Sequence, residues 1–304
     1  MNYTIHQLKI FLKVVQTRSI TKTSAELFIT QPAVSVQLKN FQNQFDIPLT
    51  EIVGRQLFVT DFGKEVAEIA ERVIQELEQI NYKSLAFKGI LTGKLYISSA
   101  STGKYVIPYF LSEFLEQYSG IDLKLDVTNK SRVIESLKNN EIDFALVSVV
   151  PDNLDLEEEI LLDNKLYLMG NKPYRDDTKP LIYRESGSAT RAAMENYFRE
   201  TENQQRRHIE LTSNEAVKQA VIAGIGHSVM PLIGMKNELL NQQIHIIPLK
   251  GLPIQTKWRI VWLKGKNFSP VSQVFLKYVK QEKQKLLQKH FDWYLNFEGE
   301  GEGC

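Results

Sequence analysis

Cysteine is almost absent. Its one copy, Cys304, is the last of 304 residues, which excludes a disulfide framework and a thiolate metal cluster. Histidine is nearly as scarce: His6, His208, His227, His245 and His290 are scattered, and none stands at HExxH or similar spacing. No metal is therefore expected. Apolar runs never approach the ~20 residues of a membrane span. The opening MNYTIHQLKI also lacks the charged-then-apolar layout of a secretory leader. A cytoplasmic chain with no membrane partner is expected. Charge of either sign is not in excess, the net being +1, so composition alone does not point to nucleic acid.

Catalytic signatures are missing too. Ser101 and Lys104 in SASTGK have SxxK spacing, but no SDN or KTG accompanies them. GIGHSV lacks the third glycine of a dinucleotide fingerprint and precedes a strand, and there is no GxSxG. Neither an enzyme nor a cofactor is expected. What is present is 43% hydrophobic residues, enough for sizeable cores in two or three domains.

Residues 1–60 read as three short helices and a hairpin. Ile5, Leu8, Phe11, Leu12 and Val15 recur at helical spacing, and Ser19 caps a second helix whose Ile20, Leu27 and Phe28 are expected to reach the same core. A third helix starts at Thr30, with Pro32 just inside it, and buries Val34, Leu38, Phe41 and Phe45. Its outward side then carries Pro32, Ala33, Val36, Lys39, Asn40 and Asn43, with Ser35 on the flank. Amides, a hydroxyl and a small apolar group on one face suit a helix laid in the major groove. A plain helical bundle with one stray exposed valine fits the pattern equally well. LTEIV and QLFVT, joined at Gly54 and Arg55, predict a hairpin wing.

From 61 to 90 a single helix is expected. Val66, Ala70, Val73, Leu77 and Ile80 repeat every three and four residues, with Ile69 and Ile74 beside them, the seam of a coiled coil that would pair two chains. Beyond it nine strand-like runs alternate with helical segments, which predicts parallel sheets covered by helices. This region, 91–295, is one large α/β domain or two lobes around a cleft. The closing 296–304, FEGEGEGC at its end, is expected to be a disordered tail.

Ligands of open α/β sheets bind beyond the carboxyl ends of the strands. That rule selects the loops SASTGK, VTNKS, SVVP, RESGSATR and GIGHSVMP. RESGSATR in particular combines hydroxyls, a glycine and two arginines at a helix start, the makings of an anion site.

SITKTSAELFITQPAVSVQLKNF, followed by GRQLFVTDFG, resembles the N-terminal signature of LysR-type transcriptional regulators. NKSRVIESLKNNEIDFALV, RESGSATR, SNEAVKQAVIAGIG and GLPIQTKW are most similar to the branch controlling carbon-fixation operons. The resemblance implies a winged helix-turn-helix (1–60), a linker helix (61–90) dimerising through 61–88, and a two-lobed sensor like the periplasmic binding proteins. Lobe I would be 91–165 plus 265–295, and lobe II 166–264. It implies double-stranded DNA with an imperfect inverted repeat as one partner, a small anionic effector as another, and a dimer of dimers. Gln31, Ser35 and Val36 would meet base edges and Lys39 and Arg55 phosphates, with Thr30, Pro32 and Gln37 in the same interface. Ser101, Thr102, Asn129, Arg184, Ser186, Ser188, Thr190 and Arg191 would line the cleft, one arginine holding the effector while the other pairs with Glu185 or Glu195. Thr23 and Ser24 stand where the family commonly has two alanines, and Thr50 where a phenylalanine is usual. Val36 stands where many members carry a long polar residue. A two-lobed solute-binding protein or an enzyme using RESGSATR as an anion site is the alternative.

Overall fold

The computed structural model describes residues 2–54, 56–87, 91–201 and 206–297. The chain divides into two compact units, 1–89 and 90–304.

The first unit opens with α1 (Ile5–Thr17), α2 (Ile20–Leu27) and α3 (Gln31–Gln42). Each start is capped by a hydroxyl: Thr4, Ser19 and Thr30 accept the amide hydrogens of Gln7, Lys22 and Ala33, satisfying groups the helix itself leaves unpaired. Ile10, Phe11, Val14, Val34 and Phe41 are fully buried in one core. Thr23 and Ser24 are buried as well, so small polar residues serve where α2 packs closely. Phe28 departs from expectation. It ends α2 in the left-handed region (φ 55°) and is 94% exposed, because the chain reverses at this residue and turns its side chain outward.

The wing is β1 (Thr50–Val53) and β2 (Gln56–Val59), antiparallel around Gly54 at φ +66°. Arg55, assigned to phosphate contact, lies outside the described residues. Helix α4 (Asp61–Phe87) follows. Ala67 and Ala70 are buried and Val66 and Ile74 partly so, all against the core of this unit. Val66 and Ala70 therefore leave the expected seam, and among the described side chains of α4 the exposed large apolar ones are Ile69, Val73 and Ile80.

The second unit contains β3 (Thr92–Ala100), α5 (Ile107–Gln117), β4 (Gly120–Thr128), α6 (Lys130–Lys138), β5 (Phe144–Val147), β6 (Leu156–Gly170), β7 (Leu181–Arg184), α7 (Ala189–Thr201) and β8 (His208–Leu211). It continues through α8 (Asn214–Ile222), β9 (Ser228–Pro231), α9 (Lys236–Leu240), β10 (His245–Ile246), β11 (Ile254–Leu263) and α10 (Pro270–Leu295). Strands β4, β3 and β5 are parallel neighbours, as are β7 and β8. The seven-stranded sheet is nonetheless mixed, where parallel sheets were expected. The 15-residue β6 carries the chain out of lobe I and β11 brings it back, and two such crossings must run in opposite senses. Arg259, Ile260 and Val261 of β11 pair with β5, so lobe I resumes by 259 and not at 265. The expected tail is shorter than 296–304: Asn296 caps α10 and Phe297 packs on Tyr167, while 298–304 lie outside the described residues.

Candidate effector cleft and recognition helix

Parallel strands bring their carboxyl ends together. In lobe I, Ala100 pairs with Thr128 and Ser99 with Leu146, so Asn129, Ser101 and Ser148 follow in adjacent strands. In lobe II, Arg184 pairs with Leu211, placing the loop after β7 beside the start of α8. Between these two edges lies a pocket of about 270 Å³, mouth included, lined by Thr102, Tyr105, Arg184, Thr190, Asn214, Val217, Met230 and Met235 among others.

Arg184 is the centre of the polar network. Only 4% exposed, it gives Nε and Nη2 to the two oxygens of Glu185 (2.7 and 2.8 Å) and Nη1 to Asn214 Oδ1. The hydroxyl of Ser101, across the cleft, accepts from both terminal nitrogens of Arg184 at 3.3 Å and from Asn214 Nδ2 at 3.2 Å. One lobe I oxygen is thus held by two lobe II side chains. Arg191 faces elsewhere: it bonds Glu195 (2.7 Å), Glu210 and the Arg184 carbonyl.

Thr102 is 7% exposed, lines the pocket, and makes no side-chain hydrogen bond to any described residue. At the rim, Lys218 bonds Glu238 (2.8 Å) and Glu215 (3.2 Å). Burial works against its charge, but the two carboxylates outweigh it and hold the pKa above the ordinary lysine value. Burial pushes the Tyr105 phenol up. Gly234 lets the lobes meet here, since a Cβ would lie 2.5 Å from the Tyr105 ring.

The other selected residues are less central. Asn129 caps α6 through Arg132 N–H, Ser188 Oγ accepts from Arg191 N–H at 3.5 Å, and Ser186 is exposed. Gly187, at φ +85°, stands against Ser131 of the opposite lobe. Tyr105, Asn214, Met230 and Met235 were absent from the residue-level selection. Asn214 follows the carboxyl end of β8, where the strand-end rule points.

On α3, Gln31, Pro32, Ser35, Val36 and Lys39 are exposed on one side, Gln37 is half-buried, and Thr30 is spent as cap. Val36 leaves 54% of its surface in solvent. Among the described residues no cluster of histidine, cysteine and carboxylates could hold a metal ion, and no helix is long and apolar enough to cross a membrane.

Two family descriptions match: "Bacterial regulatory helix-turn-helix protein, lysR family" over residues 5–64 and "LysR substrate binding domain" over 88–284. Among curated relatives, the transcriptional activator CmpR of Synechocystis sp. is 35% identical, over 91% of this chain and 95% of that protein. The RuBisCO operon transcriptional regulator of Allochromatium vinosum is 33% identical, over 94% and 98%. Among solved structures, the Synechocystis CcmR regulatory domain in complex with 2-PG superposes with a TM-score of 0.59 at 33% identity, covering 64% of this chain and 98% of that one. Full-length CbnR complexed with its target DNA shares the fold, with a TM-score of 0.64 at 18% identity over 91% of this chain and 99% of that one. With a helix-turn-helix unit and a two-lobed sensor that both match, the chain belongs to the LysR family of DNA-binding transcriptional regulators.

Proposed function

We propose that this regulator grips an imperfect inverted repeat through α3 and the wing, and changes that grip when a small anionic metabolite of the kind represented by 2-PG enters the cleft between its lobes. Thr102 carries the reading: its residue lines the pocket and is largely buried, and its hydroxyl, which bonds no other described side chain, is left to meet a ligand oxygen. Arg184, Ser101, Thr190 and Asn214 supply further donors around it. In this reading the site senses its ligand: the Ser101 hydroxyl is held by a guanidinium and an amide, neither of which takes its proton to make it a nucleophile. Ile69, Val73 and Ile80 on α4 are covered by a second chain, and the pairs associate as a dimer of dimers in the cytoplasm.

A thermal-shift measurement with 2-PG tests the cleft. The wild-type chain is expected to melt higher as ligand is added, and Thr102→Ala to lose most of that shift. An equal shift in both proteins would move the site elsewhere.

For the DNA-binding unit, Lys39→Ala is expected to weaken all duplexes alike and to flatten the slope of log K against log salt by about 0.9. Gln31→Ala should instead cost about 1–3 kcal/mol on the cognate repeat only. Gel shifts on the upstream DNA at two salt concentrations separate the two. Uniform weakening by Gln31→Ala would place that residue on phosphate.

A further inference from the structure

The end of α10 touches lobe I, the crossing strand and lobe II in succession. In lobe I, His290 and Phe291 lie against Tyr109 of α5, with ring centroids 5.0 and 5.2 Å apart. In lobe II, Lys236 of α9 places its ammonium 5.5 Å from the Trp293 ring, and Phe297 meets Tyr167 at 6.3 Å. Between them Tyr294 is fully buried, and its hydroxyl accepts the Lys165 N–H and donates to the Asp163 carbonyl, both at 2.9 Å.

Those two backbone groups flank the point where β6 changes lobes. β9 pairs with β6 only over Leu166–Met169, so its hydrogen bonding stops one residue short of Lys165. Residues two apart in a strand present their amides and carbonyls to the same edge. The single phenol therefore closes the ladder where the neighbouring strand ends, and it comes from a helix whose neighbouring side chains hold both lobes.

We propose that residues 290–297 form a strap that sets the angle between the lobes, with Tyr294 as the positioning residue that fixes the crossing strand. The strap's link to signalling rests on the cleft reading above, whereas its mechanical role does not. Effector binding then works against, or with, an angle the C-terminal helix has already chosen, since a ligand acts only through its preference for one arrangement.

The test measures the lobes directly and without ligand. Spin labels at Lys138→Cys on α6 and Arg199→Cys on α7, both exposed, in a Cys304→Ser background and diluted into unlabelled chain, report the interlobe distance. Tyr294→Phe and Trp293→Ala are each expected to broaden the distribution and shift its mean, and the double variant more so. Tyr294→Phe keeps the ring in its socket and serves alone if Trp293→Ala does not fold. Distributions superimposable on the wild type, even with a lowered melting temperature, would overturn the strap and leave Tyr294 a packing residue. Failure of 2-PG to bind would count against the effector class and leave these distances standing.

Discussion

Arg184→Met is expected to lower the unfolding free energy of the second unit by about 3–5 kcal/mol, the cost of removing one partner from a buried charge pair, and to abolish any response to 2-PG. Methionine fills much of the space but donates nothing. Glu185, half-buried beside the missing guanidinium, keeps its charge without its two-pronged partner. Asn214 loses its donor, and Ser101 keeps one of its bonds across the cleft. Two effects are combined here, and a second variant separates them. In Arg184→Met with Glu185→Gln the stranded charge is gone, so urea unfolding of that unit should recover a large part of the loss. The ligand response should stay absent, because the donors facing the pocket are still missing. Recovery of both would make Arg184 a structural residue only, and recovery of neither would mean that Asn214 and Ser101 dominate the penalty.

Gly63→Ala is expected to destabilise the first unit by about 3 kcal/mol, at the upper end of overpacking costs, and to release the wing. A Cβ at this position falls inside the van der Waals envelope of the Leu49 carbonyl oxygen, and backbone cannot rotate away as a side chain does. The site is crowded for a reason. Thr60 donates its hydroxyl to the Pro48 carbonyl at 2.7 Å and its amide hydrogen to Leu49 O at 3.1 Å, while its Oγ accepts Gly63 N–H at 2.9 Å. One threonine thereby ties both ends of the wing to the first turn of α4. Alanine forces that knot apart, so DNA affinity should fall further than the lost stability alone would produce. Gel shifts at a temperature where the variant is fully folded check this, and unchanged affinity there would show that the wing adds little to the grip.

The helical part of the first unit was readable because its apolar residues repeat cleanly: Val34, Leu38 and Phe41 are buried where their spacing put them. Phe28 misled for the opposite reason, since hydrophobicity says nothing about a left-handed cap that points a side chain outward. On α4 the periodicity was real but served two partners, with Ala70 turned to its own chain and Ile69 to solvent. The first half of β6 escaped notice because Glu157, Glu158 and Glu159 look like loop. Their partners Trp262, Arg259 and Lys283 stand more than a hundred residues away in sequence. The cleft was legible as a set of strand ends. Which polar residue on each loop turns inward was not, so Arg184 and Arg191 could not be told apart until Ser101 and Glu210 showed where each one points.

Val217, Val221, Met230 and Met235 of lobe II belong to the same apolar cluster as Phe110, Phe144 and Ile260 of lobe I. Swinging the lobes wide apart would wet that seam at about 25 cal/mol per Å². Opening therefore works against a ligand whose differential affinity must reach ~5.5 kcal/mol to invert a 1:99 population. Shear meets no such opposition: packed side chains slide past one another by about 1–2 Å and settle again without letting water in.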